Sequence, residues 1–323
     1  MVKSRVAFIH GLNDNIVRQM VAVAGPNVEV VPIPVEWPEE KKLALSKDAE
    51  FILTANSSFS MAMLRACPKV RFIQLLSAGF EYVDMKVVGE RGIPVANNGG
   101  ANGTSVAEHA IALMLAVYKQ LVPMWKNVEA GKWRSGLIGE DEWDIEGKTV
   151  GIIGLGRIGG RVAARLRGWE CQVIYSDIVK FPASRDRELG VRPVSLDELL
   201  RTSDIVTVHV PLNDQTRGMI GEREFGLMKR NAIFINTCRG PVHNEAALIV
   251  ALREKRIAAA GLDVLEQEPT PLDNPLLRMG NVVVTPHLAG ASMDTWMRSA
   301  RFGFGNIQRF LKGGKPESLV YPS

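Results

Sequence analysis

The stretch VGIIGLGRIG, Val150–Gly159, is an apolar run that stops at a glycine and meets two further glycines at fixed offsets. Gly154, Gly156 and Gly159 match the pattern GxGxxG. Between a strand and a helix, the first glycine allows the tight turn. The second lets backbone approach a pyrophosphate with no Cβ in the way, and the third lets helix and strand pack closely. The phosphates would then meet the N–H groups and positive dipole end of a helix starting near Arg157 and Ile158. The pattern alone is common, so its setting matters. A Val- and Ile-rich run precedes it, a helical pattern follows, and the next strand-like run, VIYSD, ends on Asp177. A carboxylate there accepts hydrogen bonds from an adenosine ribose and repels a 2′-phosphate, so NAD is expected rather than NADP.

The stretch lies almost halfway along 323 residues, a length suited to two domains. On both sides of it, short runs rich in Val and Ile alternate with helical patterns, the rhythm of βα units and parallel sheets. Upstream the strand-like runs are RVAFI, VEVVPIPV, AEFILTA, VRFIQLL and IPVAN. Downstream they are TVGIIGLG, QVIYSD, DIVTVHVPL, AIFINT, AAGLDV and NVVVTPH. Two doubly wound α/β domains are therefore expected. TSVAEHAIALMLAVYKQL predicts a long apolar helix with Thr104 or Ser105 as N-cap and Pro123 near its stop, buried between domains or subunits. The Trp- and Gly-containing residues from Trp125 to Thr149 read as a connecting arm, and the tail from about Ala291 reads as helix.

Composition narrows the function class. Hydrophobic residues make up 46% and charged residues 23%, enough to bury a sizeable core, and the net charge of +4 is spread along the chain. Arg161, Arg165 and Arg167 read as a solvated helix face rather than a nucleic-acid patch. Cys67, Cys171 and Cys238 are far apart and form neither a disulfide framework nor a metal-ligand spacing, so a reducing cytoplasm is expected and no metal. No apolar stretch suits a signal peptide or a membrane span.

In an open α/β sheet, ligands bind beyond the carboxyl ends of the strands. The residues just after the later strand-like runs are His209-Val210-Pro211, Thr237-Cys238-Arg239-Gly240, Asp263 and Thr285-Pro286-His287, with Glu268 in the loop after Asp263. An arginine, a glutamate and a histidine thus converge on the edge where a nicotinamide would lie.

Here the resemblance becomes specific. GIIGLGRIGGRVAARL, VTVHVPLNDQTRGMI, FINTCRG, AAGLDVLEQEP and NVVVTPHLAGAS, with RFIQLLSAGFEYVD and SVAEHAIALML upstream, resemble the signature blocks of the NAD-dependent D-isomer-specific 2-hydroxyacid dehydrogenases. The resemblance implies a Rossmann cofactor domain (residues 102–288) inserted into a flavodoxin-like substrate domain (residues 1–101 and 289–323), with the active site in the cleft between them. It implies that a small 2-keto acid and its D-2-hydroxy acid are interconverted with NAD(H). Arg239 suits the substrate carboxylate, because guanidinium is permanently charged and forms paired hydrogen bonds. His287 suits proton transfer, and Glu268 would orient and charge it. Ser77, Ala78 and Gly79 would bind the substrate carboxylate through backbone N–H groups. Asn102 and Val106 would border substrate and nicotinamide, and Asp263 would contact the carboxamide. Pro211 and Thr216 would lie on the adenine side, with His209, Val210, Thr237, Cys238 and Gly290 also near the cofactor. A homodimer is implied, formed by the long helix and the Trp-containing arm.

Competing readings remain at several positions. Glu266 rivals Glu268, but the family's glutamate directly precedes a proline, as Glu268 does. His109 suits a structural or interface role better than catalysis, and Cys238 a packed residue better than a nucleophile. His10 and Trp133 could reach the cleft. RGPVHNEAAL departs from the family, with His243 and Asn244 where an aliphatic residue and Asp are usual, which leaves the shape of the loop after Arg239 open. Formate-type chemistry is disfavoured, because those relatives carry Gln where Glu268 stands. An NAD-sensing co-repressor on the same scaffold is the alternative of a different class.

Overall fold

The computed structural model describes residues 3–55, 60–80, 82–133 and 142–321. The chain forms two compact units, Met1–Asn102 with Ala291–Ser323, and Gly103–Gly290. Asn102 therefore groups with the first unit, and Ala289 and Gly290 with the second. The first unit runs β1 (Ser4–His10), α1 (Asp14–Val21), β2 (Val28–Pro34), α2 (Glu39–Ser46), β3 (Phe51–Thr54), α3 (Met61–Ala66), β4 (Phe72–Leu75), α4 (Met85–Glu90) and β5 (Val95–Ala96). The second holds α5 (Gly103–Tyr118), α6 (Leu121–Glu129), β6 (Thr149–Ile153), α7 (Gly159–Leu166), β7 (Gln172–Ser176), α8 (Ala183–Leu189), β8 (Val191–Pro193), α9 (Leu196–Thr202) and β9 (Ile205–Val208). It continues through α10 (Glu222–Leu227), β10 (Ile233–Asn236), α11 (Glu245–Arg253), β11 (Ala259–Leu262) and β12 (Val282–Val284). The chain then returns to the first unit as α12 (Met293–Leu311) and β13 (Leu319–Val320).

The first unit's sheet has the order β13-β5-β4-β3-β1-β2, parallel except for β13. Without its last strand this is the flavodoxin-like doubly wound order. The return of the tail has a clear cause. Ser292 caps α12 by accepting from Thr295 N–H, and the helix buries Ala300, Gly303, Phe304 and Ile307 on one face. That face joins Phe8, Phe51, Phe72 and Leu76 in one apolar cluster. Asn306 also donates to Gln74 Oε1 at 2.8 Å inside it.

The second unit's sheet is parallel throughout, in the order β12-β11-β10-β9-β6-β7-β8. This is the Rossmann order extended by one strand, with the crossover reversal between β6 and β9. Apolar clusters cover both of its faces. The register sets Ile153, Val208, Asn236, Leu262 and Val284 side by side. The residues after them, Gly154, His209, Thr237, Asp263 and Thr285, consequently leave the sheet along one edge.

Both sheets meet the expectation of two α/β layers, and four local readings need correction. The long helix begins at Gly103, ahead of Thr104 and Ser105. Its buried face packs on β10, β11 and α7 within its own unit, where Gly261 lets Leu113 approach closely. Pro123 does not stop that helix. Gln120, at φ 50°, separates it from α6, and Pro123 sits in the first turn of α6, where its missing N–H costs little. Part of the connecting arm is thus helix, while its residues 134–141 lie outside the described residues. Finally β8 and β13 were not foreseen, because short edge strands such as VRP carry too little apolar pattern to read. No described helix is long and apolar enough to cross a membrane.

Candidate active site

The glycine loop leaves β6 at the crossover reversal. Gly154 has φ +90°, and a Cβ there would lie 2.6 Å from His209 O, so only glycine fits both the turn and the neighbouring strand. Gly159 begins α7 with its Cβ position 2.0 Å from Gly154 O. Gly156, by contrast, has no heavy atom within 4 Å of its Cβ position, and α7 has no side-chain cap on its N–H groups. Open space over a glycine, next to uncapped helix N–H groups, fits a dinucleotide pyrophosphate. The helix starts two residues after Arg157, whose carbonyl accepts from the Arg161 guanidinium at 2.8 Å. Arg165 pairs with Glu108 at 2.9 Å.

Asp177 follows β7. Its two oxygens accept from Leu155 N–H (2.7 Å) and Val179 N–H (2.8 Å), so the carboxylate braces the glycine loop from its flank. Each oxygen keeps lone-pair capacity for a ribose hydroxyl. Beyond β9, His209 is buried and bonds Thr207 Oγ1 at 2.9 Å, and burial pushes its pKa down to about 3. It is a neutral packing histidine whose carbonyl abuts the glycine turn, with Val210 beside it. Thr216 Oγ1 donates to Pro211 O at 2.6 Å and accepts from Asn213 N–H at 2.9 Å, closing the loop that follows.

Beyond β10 the chain turns sharply. Thr237 and Cys238 are buried; burial pushes the Cys238 thiol up to about 11, and the thiol donates to Asn236 Oδ1 at 3.0 Å. That is the chemistry of a packed residue. Arg239, half-buried, donates through Nη1 to Cys238 O at 2.6 Å.

Glu268 and His287 meet directly, with Oε2 and Nδ1 2.6 Å apart. Glu268 Oε1 accepts from Leu265 N–H at 3.0 Å. Burial alone would raise the Glu268 pKa. The hydrogen bonds from His287 and Leu265 N–H, with the charges of His287 and Arg239, outweigh it and hold the carboxyl below the usual range. Glu266 is exposed, and its N–H donates to Glu245 Oε2 at 2.8 Å.

His287 occupies the left-handed region at φ 54°, which costs a non-glycine residue about 1 kcal/mol or more. Asp263 supplies the compensating bonds. Its carbonyl accepts from His287 N–H at 2.7 Å, Oδ1 from Thr285 Oγ1 (2.6 Å) and Leu288 N–H (3.0 Å), and Oδ2 from Ala289 N–H (2.8 Å). The Asp263 side chain is 1% exposed, and both its oxygens hold the turn that carries His287. His109, on α5, bonds Thr285 Oγ1 through Nε2 at 2.9 Å and so serves the same turn. Gly290 closes it, and Val106 lies buried on α5. The structural reading of His109 thus gains its partner, whereas the bracing role of Asp263 depends on side-chain direction, which sequence does not show.

In the first unit, Ser77, Ala78 and Gly79 follow β4. Ser77 Oγ donates to Gly79 O at 2.8 Å and meets Tyr82 Oη at 2.9 Å, and Asn97 Nδ2 holds Ala78 O at 3.0 Å. The loop is therefore held in shape by side chains, with its serine hydroxyl turned on itself. His10 is buried and accepts from Leu12 N–H at 3.3 Å, Asn102 is half-buried, and Trp133, in the second unit, is 76% exposed.

Residues 111–289 match the family described as D-isomer specific 2-hydroxyacid dehydrogenase, NAD binding domain. The chain is 39% identical over 293 residues to a glyoxylate reductase of Korarchaeum cryptofilum, covering 88% of this chain and 87% of that one. It is 36% identical over 284 residues to glyoxylate/hydroxypyruvate reductase B of Yersinia pestis, covering 87% and 86%. Among solved structures it is similar to the NADPH-dependent glyoxylate/hydroxypyruvate reductase of Sinorhizobium meliloti in complex with citrate. That match has a TM-score of 0.84 and 26% identity over 98% of both chains.

Proposed function

The chain belongs to the D-isomer-specific 2-hydroxyacid dehydrogenases, and from that premise we propose that it reduces a small 2-keto acid to the D-2-hydroxy acid with NADH. The observation that carries the reading is the 2.6 Å contact of Glu268 with His287, in the electrostatic reach of Arg239. With Nδ1 held by Glu268, Nε2 is the ring nitrogen left to meet a substrate. In reduction it gives its proton to the keto oxygen; in the reverse direction the neutral ring accepts the hydroxyl proton. Arg239 binds the substrate carboxylate through its fork of donors. Bound NAD(H) supplies the hydride chemistry. The residues that would hold it are Gly154, Gly156, Gly159 and Asp177, with the loops after β9 and β10 beside them. Ser77, Ala78 and Gly79 would, by the family resemblance alone, offer backbone N–H donors to a carboxylate.

Glyoxylate and hydroxypyruvate are the proposed substrates, by likeness to the reductases above. Asp177 favours NADH over NADPH. A homodimer is supported by the exposure of Leu121, Val122, Trp125 and Val128 along one face of α6. Free cysteines fit a cytoplasmic setting. The co-repressor alternative is not favoured, since the similar proteins named above are reductases. The test is a panel of glyoxylate, hydroxypyruvate, pyruvate and a bulkier 2-keto acid, each with NADH and NADPH. The proposal expects NADH oxidation with at least one small keto acid, and fails if none is reduced.

A further inference from the structure

His243 is one of the two residues by which the loop after Arg239 departs from the family pattern, and the structure gives it a polar task in an apolar place. It is 1% exposed, with its ring edge-on to Phe234 at a centroid distance of 5.6 Å. Its Nδ1 lies 3.0 Å from Asn236 Nδ2. Asn236, fully buried, also donates from Nδ2 to Arg239 O at 3.0 Å, and its Oδ1 accepts from Cys238 N–H at 2.9 Å. These partners fix the orientation of the amide. Turned over, it would set oxygen against the Arg239 carbonyl and NH2 against the Cys238 N–H. Both amide hydrogens are therefore donated, one to Arg239 O and one to His243. The imidazole must then be unprotonated at Nδ1 and carry its proton on Nε2. Burial pushes the His243 pKa down to about 4, so the ring is neutral at pH 7. Nε2 has no hydrogen-bond partner among the described residues, which leaves the bond to Asn236 as the ring's polar anchor there.

The backbone on the far side of the turn is fastened as well. His243 N–H donates to Gly240 O at 3.1 Å, and Asn244 N–H to Ile220 O at 2.9 Å. Asn244 caps α11 by accepting from Ala247 N–H at 2.8 Å, the task an aspartate would perform. An aliphatic residue at 243 would leave the second Asn236 hydrogen buried without an acceptor, at a cost that loosens the amide. We propose that His243 is a positioning residue for Arg239: its neutral ring accepts from the Asn236 amide, which in turn holds the Arg239 carbonyl and the turn from which the guanidinium projects. This rests on the reading of Arg239 as the group that binds the substrate carboxylate.

The test compares wild type with His243→Val, His243→Gln and Arg239→Lys, using keto-acid kinetics with NADH, NADH binding by fluorescence, and thermal denaturation. Losing one buried hydrogen bond should raise the keto-acid KM of His243→Val about two- to tenfold, with a smaller change in kcat and unchanged NADH affinity. His243→Gln, which keeps an acceptor, should recover most of that loss. Equal KM values for the Val variant and wild type, or no recovery by Gln, overturn the proposal even if the melting temperature falls. Should the Val variant not fold, nitrogen NMR of histidine-labelled wild type decides. It must show a His243 protonated on Nε2 alone at neutral pH, and an Nδ1–H ring overturns the proposal. If Arg239→Lys leaves the keto-acid KM unchanged, the reading of Arg239 itself fails. If only the His243 variants are silent, the failure is confined to His243.

Discussion

Gly240→Ala should disable the site without touching any group that meets the substrate. Gly240 directly follows Arg239 and lies against the segment that carries Glu268. A Cβ on it would sit 1.9 Å from Leu265 O, 2.1 Å from Leu265 C and 2.6 Å from Glu266 N. All three are backbone atoms, so no side-chain rotation relieves the clash. Contacts under 3.0 Å are essentially never found for real Cβ atoms, so the two segments must part by about 1 Å, an error that costs a positioned site on the order of a hundredfold. The displacement has a short path to the proton donor. Leu265 N–H holds Glu268 Oε1 at 3.0 Å, and Glu268 Oε2 holds His287 at 2.6 Å. Arg239 moves on the other side of the same contact. The expected result is a fall of about a hundredfold in kcat/KM for the keto acid, or ~2.7 kcal/mol of transition-state stabilisation. Overpacking should also cost about 1–3 kcal/mol of folding stability. NADH affinity should fall less than kcat/KM, because the glycine loop and Asp177 leave β6 and β7, while Gly240 sits in the loop after β10. The assay is NADH consumption at saturating cofactor, well below the melting temperature of the variant. A kcat/KM within threefold of wild type would refute the reasoning, because the turn would then tolerate the displacement.

Glu268 should titrate below its ordinary value of 4.5 when followed by carbon NMR of the carboxylate. A depressed pKa means the stability contributed by the ionised Glu268 carboxylate is fully present above 4.5 and is lost as pH falls through the lower folded value. A midpoint at or above 4.5 contradicts the geometry. Glu268→Gln should slow turnover about tenfold or more, the difference between a charge-assisted and a neutral hydrogen bond. Asp177→Ser should lower kcat/KM with NADH about tenfold and collapse the preference over NADPH, since it removes both the ribose acceptor and the repulsion of a 2′-phosphate. An unchanged NADH-to-NADPH ratio would contradict the role given to Asp177. Trp125→Glu places a charge on the exposed face of α6 and should convert a dimer to monomer by light scattering. Wild type already monomeric, or a variant still dimeric, would contradict the proposed interface.

The fold was legible where its signal is periodic. Long Val- and Ile-rich runs between helical patterns can form only a few kinds of sheet, and GLGRIG followed by Asp177 places one of them at a nucleotide edge. What periodicity lacks is direction. Asp263 stands at a strand end and reads as a ligand contact, and only the structure adds that its carboxylate holds the His287 turn. His109 suits a structural role in sequence, but its partner, Thr285, is given only by the structure. His243 reads as a polar interruption, and only burial against Phe234 and the Asn236 amide gives it a task. Pro123 misled for a related reason. A proline marks a helix boundary but does not say which end, and here Gln120 had already broken the chain into a second helix. The exposed apolar residues of that helix were hidden for the same reason, since a sequence shows hydrophobicity and not whether a neighbour covers it.

The most direct measurement follows isotope and chirality together. The fastest keto acid of the panel is reduced with NADH deuterated at the transferring position of nicotinamide C4, by wild type and by His287→Ala. The account predicts that wild type gives the D-2-hydroxy acid alone, with one deuterium at C2 for each NADH consumed. It also predicts that His287→Ala loses turnover while binding NADH as wild type does. An L or racemic product, a C2 without deuterium, or undiminished turnover in His287→Ala would contradict it.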